Sequence, residues 1–178
     1  MTYNATDRIL YQAVDTGQLV QRYPLETSAS VRRLFVTPEI NEILDGNDAA
    51  FKNLPMVETE TIIGRFCAGH FITASLQGNS ELKPDFEKLQ GLDEVWAICA
   101  RKPRMWQVRI FGRFISKGCF VAFGFHERVV LGIRENYNAK ASEVPALWND
   151  VLGTCVRYEA GSVDEYFGGV CRDVDEQI

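Results

Sequence analysis

Trp106-Gln107-Val108-Arg109-Ile110-Phe111-Gly112-Arg113-Phe114-Ile115, joined through Ser116-Lys117-Gly118 to Cys119-Phe120-Val121-Ala122-Phe123-Gly124-Phe125-His126-Glu127-Arg128, is the stretch on which the fold turns. Both arms are rich in β-branched and aromatic residues, and Gly118 supplies the freedom a tight hairpin needs. Side chains alternate along a strand, so Trp106, Val108, Ile110, Gly112 and Phe114 share one face, and Gln107, Arg109, Phe111, Arg113 and Ile115 share the other. A two-residue turn at Lys117-Gly118 sets Ser116 opposite Cys119, Arg113 opposite Ala122, Phe111 opposite Gly124, Arg109 opposite His126 and Gln107 opposite Arg128. The expectation is an open cationic face carrying Arg109, Arg113, His126 and Arg128 beside the small residues Ala122 and Gly124.

Working outward, Val95 to Ala100 reads as a further apolar strand, and Val129 to Ile133 as an extension of the hairpin or a fourth strand. Val31 to Val36 forms a first strand. Thr37-Pro38-Glu39 then places a capping residue and an N1 proline before Ile40, Ile43 and Leu44 at helical spacing. Ile62, Ile63, Phe66, Cys67, Phe71 and Ile72 predict a helix within residues 57–76, with Gly64 and Gly69 as weak points and His70 in a packing or solvent role. Residues 77–94 read as a loop or a short turn of helix, with Phe86 and Leu89 as apolar anchors. Residues 1–30, with a short amphipathic helix at Ile9, Leu10, Ala13 and Val14, read as an N-terminal extension. Residues 135–178 read as a C-terminal helix and acidic tail whose last dozen residues are loosely packed. The class is α+β: N-terminal helices packed on a small antiparallel or mixed sheet spanning residues 31–134.

Composition narrows the function. At 178 residues, 46% hydrophobic and 24% charged, the chain is neither disordered nor low-complexity. A net charge of −5 and a pI near 5.1 argue against coating a polyanion with the whole surface. The charge is uneven, however: residues 101–134 hold eight basic residues against the single acid Glu127, a balance of +7 that leaves −12 elsewhere. No apolar run approaches the length of a membrane span, and the N-terminus lacks the pattern of a secretory leader, so a soluble cytoplasmic protein is expected. Five separated cysteines without a CxxC read as reduced thiols. With only two histidines and no Gly-rich phosphate loop, neither metal nor cofactor is expected.

Arginines clustered on one face can grip phosphate oxygens bidentately and stabilise charge that develops during phosphoryl transfer. His126 is a candidate acid or base, and Phe111 a surface on which an unpaired base can stack. Arg101, Lys102, Arg104 and Lys117 extend the prospective RNA-binding set. A solvated sheet face, its arginines paired with surplus carboxylates, accounts for the same spacing.

Four pieces of sequence, in order, resemble the RelE/ParE toxin superfamily, in particular its phage-derived, Gp49-like branch. Phe35-Val36-Thr37-Pro38-Glu39 is similar to that family's first strand-to-helix junction, and Phe86-Glu87-Lys88-Leu89-Gln90-Gly91-Leu92 with Val95-Trp96-Ala97-Ile98 to the entry into its second strand. Trp106 to Arg113 and Gly124-Phe125-His126-Glu127-Arg128 resemble its last two strands. The resemblance implies a small toxin held by an antitoxin, cutting mRNA in the ribosomal A site by attack of a 2′-OH on the adjacent phosphate. Arg109, Arg113 and Arg128 would then hold the phosphate, with His126 as acid or base; no DNA and no membrane partner are implied. Two departures stand out. The chain is acidic and carries extensions, and the tyrosine some members use has no counterpart at Val130 or Leu131, with Tyr137 further along. The alternative is a non-catalytic protein-binding module of phage or mobile-element origin on the same scaffold.

Overall fold

Apolar residues on both faces of the strands, rather than on one, set the architecture. The computed structural model describes residues 5–24, 30–78 and 80–177. Its elements are α1 (Ala5–Asp15), β1 (Val20–Arg22), β2 (Arg33–Val36), α2 (Pro38–Leu44), α3 (Val57–Cys67), β3 (Ile72–Ser75), β4 (Phe86–Lys88), β5 (Trp96–Ala100), β6 (Val108–Ser116), β7 (Cys119–Glu127), α4 (Arg128–Leu131), α5 (Arg134–Ala141), α6 (Val144–Leu152), α7 (Val163–Phe167) and β8 (Cys171–Asp173). The strands form one mixed sheet in the order β1-β2-β7-β6-β5-β4-β3-β8. The meander β4-β5-β6-β7 is antiparallel, whereas β2 lies parallel to β7 and β3 parallel to both β4 and β8. The fold is therefore α+β.

One face packs Ile110, Phe114, Phe120 and Trp96 against α2, α3 and α7. The other packs Cys99, Phe111, Val121 and Phe123 against Leu10 and Ala13 of α1, Leu131 after the hairpin, and Val144, Trp148 and Leu152 of α6. The expected open face is thus covered, because the segments read as extensions carry apolar stripes that the sheet buries. Leu10 and Ala13 lie in this second core, and α1 is fastened by Asp7, whose carboxylate accepts from Arg33 at 2.6 Å. The C-terminal segment is also built in. β8 pairs with β3, and the Asp175 carboxylate accepts from Ser75 Oγ and the Gln77 amide, each at 2.9 Å.

The hairpin keeps the expected pairs Ser116 with Cys119, Phe111 with Gly124 and Arg109 with His126. Between them the register slips: Gly112 stands opposite Ala122 and Arg113 opposite Val121, so Phe123 is the extra residue of a bulge. The slip turns Ala122 into the opposite core from the arginines. Gly112 permits it, since a Cβ there would lie 2.2 Å from the Val121 carbonyl oxygen. Two further expectations are corrected. The helix within residues 57–76 stops at Cys67, where Gly69 adopts φ +74° and has no room for a Cβ beside Val31, and Ile72 onward becomes β3. Residues 128–131 form a helical turn rather than strand, with Leu131 buried and Val129 and Val130 outside.

Arg32, 1% exposed, ties these parts together. Its Nη1 donates to the His70 carbonyl at 2.9 Å, Nη2 to Gly168 at 2.8 Å and Val170 at 3.1 Å, and Nε to Phe167 at 3.0 Å. Four carbonyls from two loops depend on one guanidinium. Replacing it with an apolar chain strands them in the interior, so Arg32→Met is expected to lower unfolding stability by about 3 kcal/mol. Arg32→Lys, lacking the planar fork, should recover only part of that loss. Urea titration measures both, and a neutral Arg32→Met would refute this role.

Candidate functional site

A cleft of about 590 Å³ opens at the end of the sheet where β5 ends and β6 begins. Strand pairing builds its floor: Cys99 of β5 stands opposite Arg109 of β6, which stands opposite His126 of β7. Arg109 lines the cleft from β6, Arg101 from the residue after β5, and Arg128 from the first position of α4. Lys83 approaches from the segment before β4, and Glu87 from β4 itself. α5 supplies Tyr137 and Asn138, and Gln77, Gln90 and Gln107 complete a polar rim. Lys88 also borders the space, but its ammonium is committed to Glu94 at 2.5 Å.

Electrostatically the cleft is cationic. Lys83, Arg101, Arg109 and Arg128 face one carboxylate, Glu87, to which Arg101 lies at 3.7 Å. Arg109 is only 5% exposed, and among the described residues it forms no ion pair with a carboxylate. Its Nη1 donates to the carbonyls of Val108 at 2.9 Å and Ala100 at 3.2 Å, and its side chain also hydrogen-bonds Tyr137. A buried guanidinium with neutral acceptors retains an unspent attraction for an anion. Arg128 donates to the Gly132 carbonyl at 2.7 Å and lies over the Tyr137 ring at 5.6 Å. Burial, with Cys99 and Glu87 nearby, pushes the Tyr137 phenol pKa up against the opposing pull of Arg109, so the phenol keeps its proton and can donate to a bound oxyanion.

The remaining residues singled out in the sequence are placed differently. Arg113, 3% exposed, donates to the Asp93 carbonyl at 2.5 Å and carboxylate at 3.1 Å and lies over Trp148 at 5.8 Å, outside the cleft. Phe111 is fully buried between His126 and Tyr137, which removes it as a stacking surface. His126 is the cross-strand neighbour of Arg109 but does not line the cleft; its ring packs on Phe111. Lys102 and Arg104 are exposed just beyond Arg101, and Lys117 is exposed at the hairpin tip. Tyr137, Glu87 and Lys83 join the site although no motif marks them, because the α4–α5 reversal and the β4–β5 pairing are tertiary events. Burial raises all five thiol pKa values, to about 12 for Cys67 and Cys119, so none is an activated nucleophile.

No grouping of His, Cys, Asp and Glu among the described residues is suited to a metal ion, and no described helix is long and apolar enough to cross a membrane. Comparison with family models, curated proteins and solved structures finds no match to this chain.

The His126 pKa is lowered, first by burial and then by Lys140, with Glu143 opposing. As pH falls below the unfolded value of about 6.5, the unfolded chain takes up the proton first, so stability is lost as pH falls toward the folded value. His126→Gln should therefore melt with a shallower loss than wild type between pH 7.5 and pH 5. Parallel pH profiles would remove this role.

Proposed function

We propose that the chain acts on RNA through this cleft, as a RelE-like translation inhibitor of a toxin-antitoxin pair, with mRNA cleavage as the reaction to be tested. The observation that carries the proposal is the convergence of Arg101, Arg109 and Arg128 with Lys83 around one cleft in a chain of net charge −5. Five arginines outside the cleft are matched with carboxylates: Arg22 with Asp45, Arg33 with Asp7, Arg65 with Asp85, and Arg113 and Arg157 with Asp93. Arg109 and Arg128 have no such partner among the described residues, which is the arrangement a phosphate site needs. Support also comes from the element order, with β2, α2 and α3 preceding the antiparallel meander β4–β7, whose last strand is parallel to β2. In this reading Arg109 and Arg128 hold the phosphate, and Tyr137 donates to one of its oxygens. Glu87 is the carboxylate within reach of the same space. Arg113, His126 and Phe111 support the floor from behind.

A second reading, a non-catalytic protein-binding module, is favoured by a specific observation. Val129 and Val130 are 72% and 69% exposed on α4, directly after Arg128. An acidic partner with apolar side chains would cover that ledge and the cleft together, which is also the chemistry expected of an antitoxin.

Induced expression separates the readings. Wild-type chain should arrest growth and deplete mRNA, while the double variant Arg109→Met, Arg128→Ala, checked for its melting temperature, should grow at least tenfold better. Arrest with intact mRNA would favour the binding module. Full viability with soluble wild-type protein would sink the toxin reading.

A further inference from the structure

We infer that Trp106 is the base-stacking platform of the cleft, so that the ligand is an unpaired RNA strand with one phosphate on the guanidinium groups and a neighbouring base on the indole. This rests on the RNA reading above and gives it a substrate class. The chain has three tryptophans: Trp96 and Trp148 are 0% and 1% exposed in the two cores, whereas Trp106 is 41% exposed. It ends a short 3-10 turn, Arg104–Trp106, set between Arg101 and Gln107, both of which line the cleft. That turn is held to the cleft wall by the backbone: the Arg128 amide donates to the Gln107 carbonyl at 2.7 Å. The backbone of the turn is therefore fixed beside the cleft, and Trp106, which does not itself line the cleft, directly precedes Gln107, which does.

The chemistry of the surroundings selects the occupant. Lys102 shortly precedes the turn and Arg104 opens it; both are exposed and form no carboxylate ion pair among the described residues. An aromatic plane interleaved with unpaired cations suits a single strand, whose phosphates meet the cations while its bases meet the ring. A duplex keeps its bases stacked inside and offers the indole nothing. Phe111 cannot play this part, being fully buried.

The burial of Trp96 and Trp148 makes the test direct, since quenching by an added base reports on Trp106. A ten-nucleotide oligoadenylate RNA, the corresponding RNA duplex and inorganic tripolyphosphate would be titrated into wild type, Trp106→Leu and Trp106→Phe at fixed salt, with binding followed independently by calorimetry. Expected are quenching of wild type by the single strand only, roughly tenfold weaker single-strand binding for Trp106→Leu, near wild-type affinity for Trp106→Phe, and equal tripolyphosphate binding by all three. Single-strand binding by Trp106→Leu equal to wild type would overturn the platform and leave the phosphate cleft standing. Tripolyphosphate binding without any single-strand binding would also overturn it, pointing to a protein partner for this ledge. Binding of neither anion by wild type would overturn the RNA reading together with it.

Discussion

Covering both faces of a sheet whose central strand carries two arginines is the constraint on which this structure depends. Arg109 and Arg113 project to the same side of β6, and α1, α4 and α6 close over that side. Each guanidinium must then be satisfied in the interior, and the two meet this differently. Arg113 finds a carboxylate and becomes a rivet between β6 and the loop before β5. Arg109 finds only carbonyls and a phenol, and keeps its charge uncompensated at the edge of a cleft.

The same logic explains Arg32, whose charge is spread over four carbonyls, with burial lowering its pKa. There the donors are used up, the group faces no cleft, and its role is to hold the loops before β3 and β8. Two residues of one type and similar burial therefore divide by whether space is left beside them. Arg109 has that space because the chain leaves the sheet after Ala100 through Arg101, and Arg101, Gln107 and Arg128 border the cleft beside it instead of filling it. α5 then folds back to bring Tyr137 over the gap.

Much of the hairpin was legible because alternation and a glycine turn are local properties. The division of Arg109, Phe111, Arg113 and Ile115 from Val108, Ile110 and Phe114 holds throughout β6. The bulge at Phe123 was not legible, since it arises where Gly112 lets the Val121 carbonyl approach, and nothing in strand periodicity marks such an approach. Ile72 to Ser75 continues a helical spacing in the sequence, yet the left-handed Gly69 and the open edge of β4 make it a strand. The openness of the arginine face failed for a similar reason: the apolar stripes of α1 and α6 were visible, but not the surface they cover.

The sequence by itself determined the α+β class, the strand-to-helix junction at Thr37-Pro38, the β6–β7 hairpin with its arginine row, and the concentration of positive charge in residues 101–134. Each follows from interactions between residues close in the chain. Only the tertiary structure decided which of those charges are spent. Asp93 reaches Arg113, Tyr137 reaches Arg109, and the cleft collects Lys83, Glu87, Arg101 and Arg128 from four separate segments. Ion pairing and burial act through space, so the difference between a structural arginine and a ligand-binding one exists only once the chain has folded.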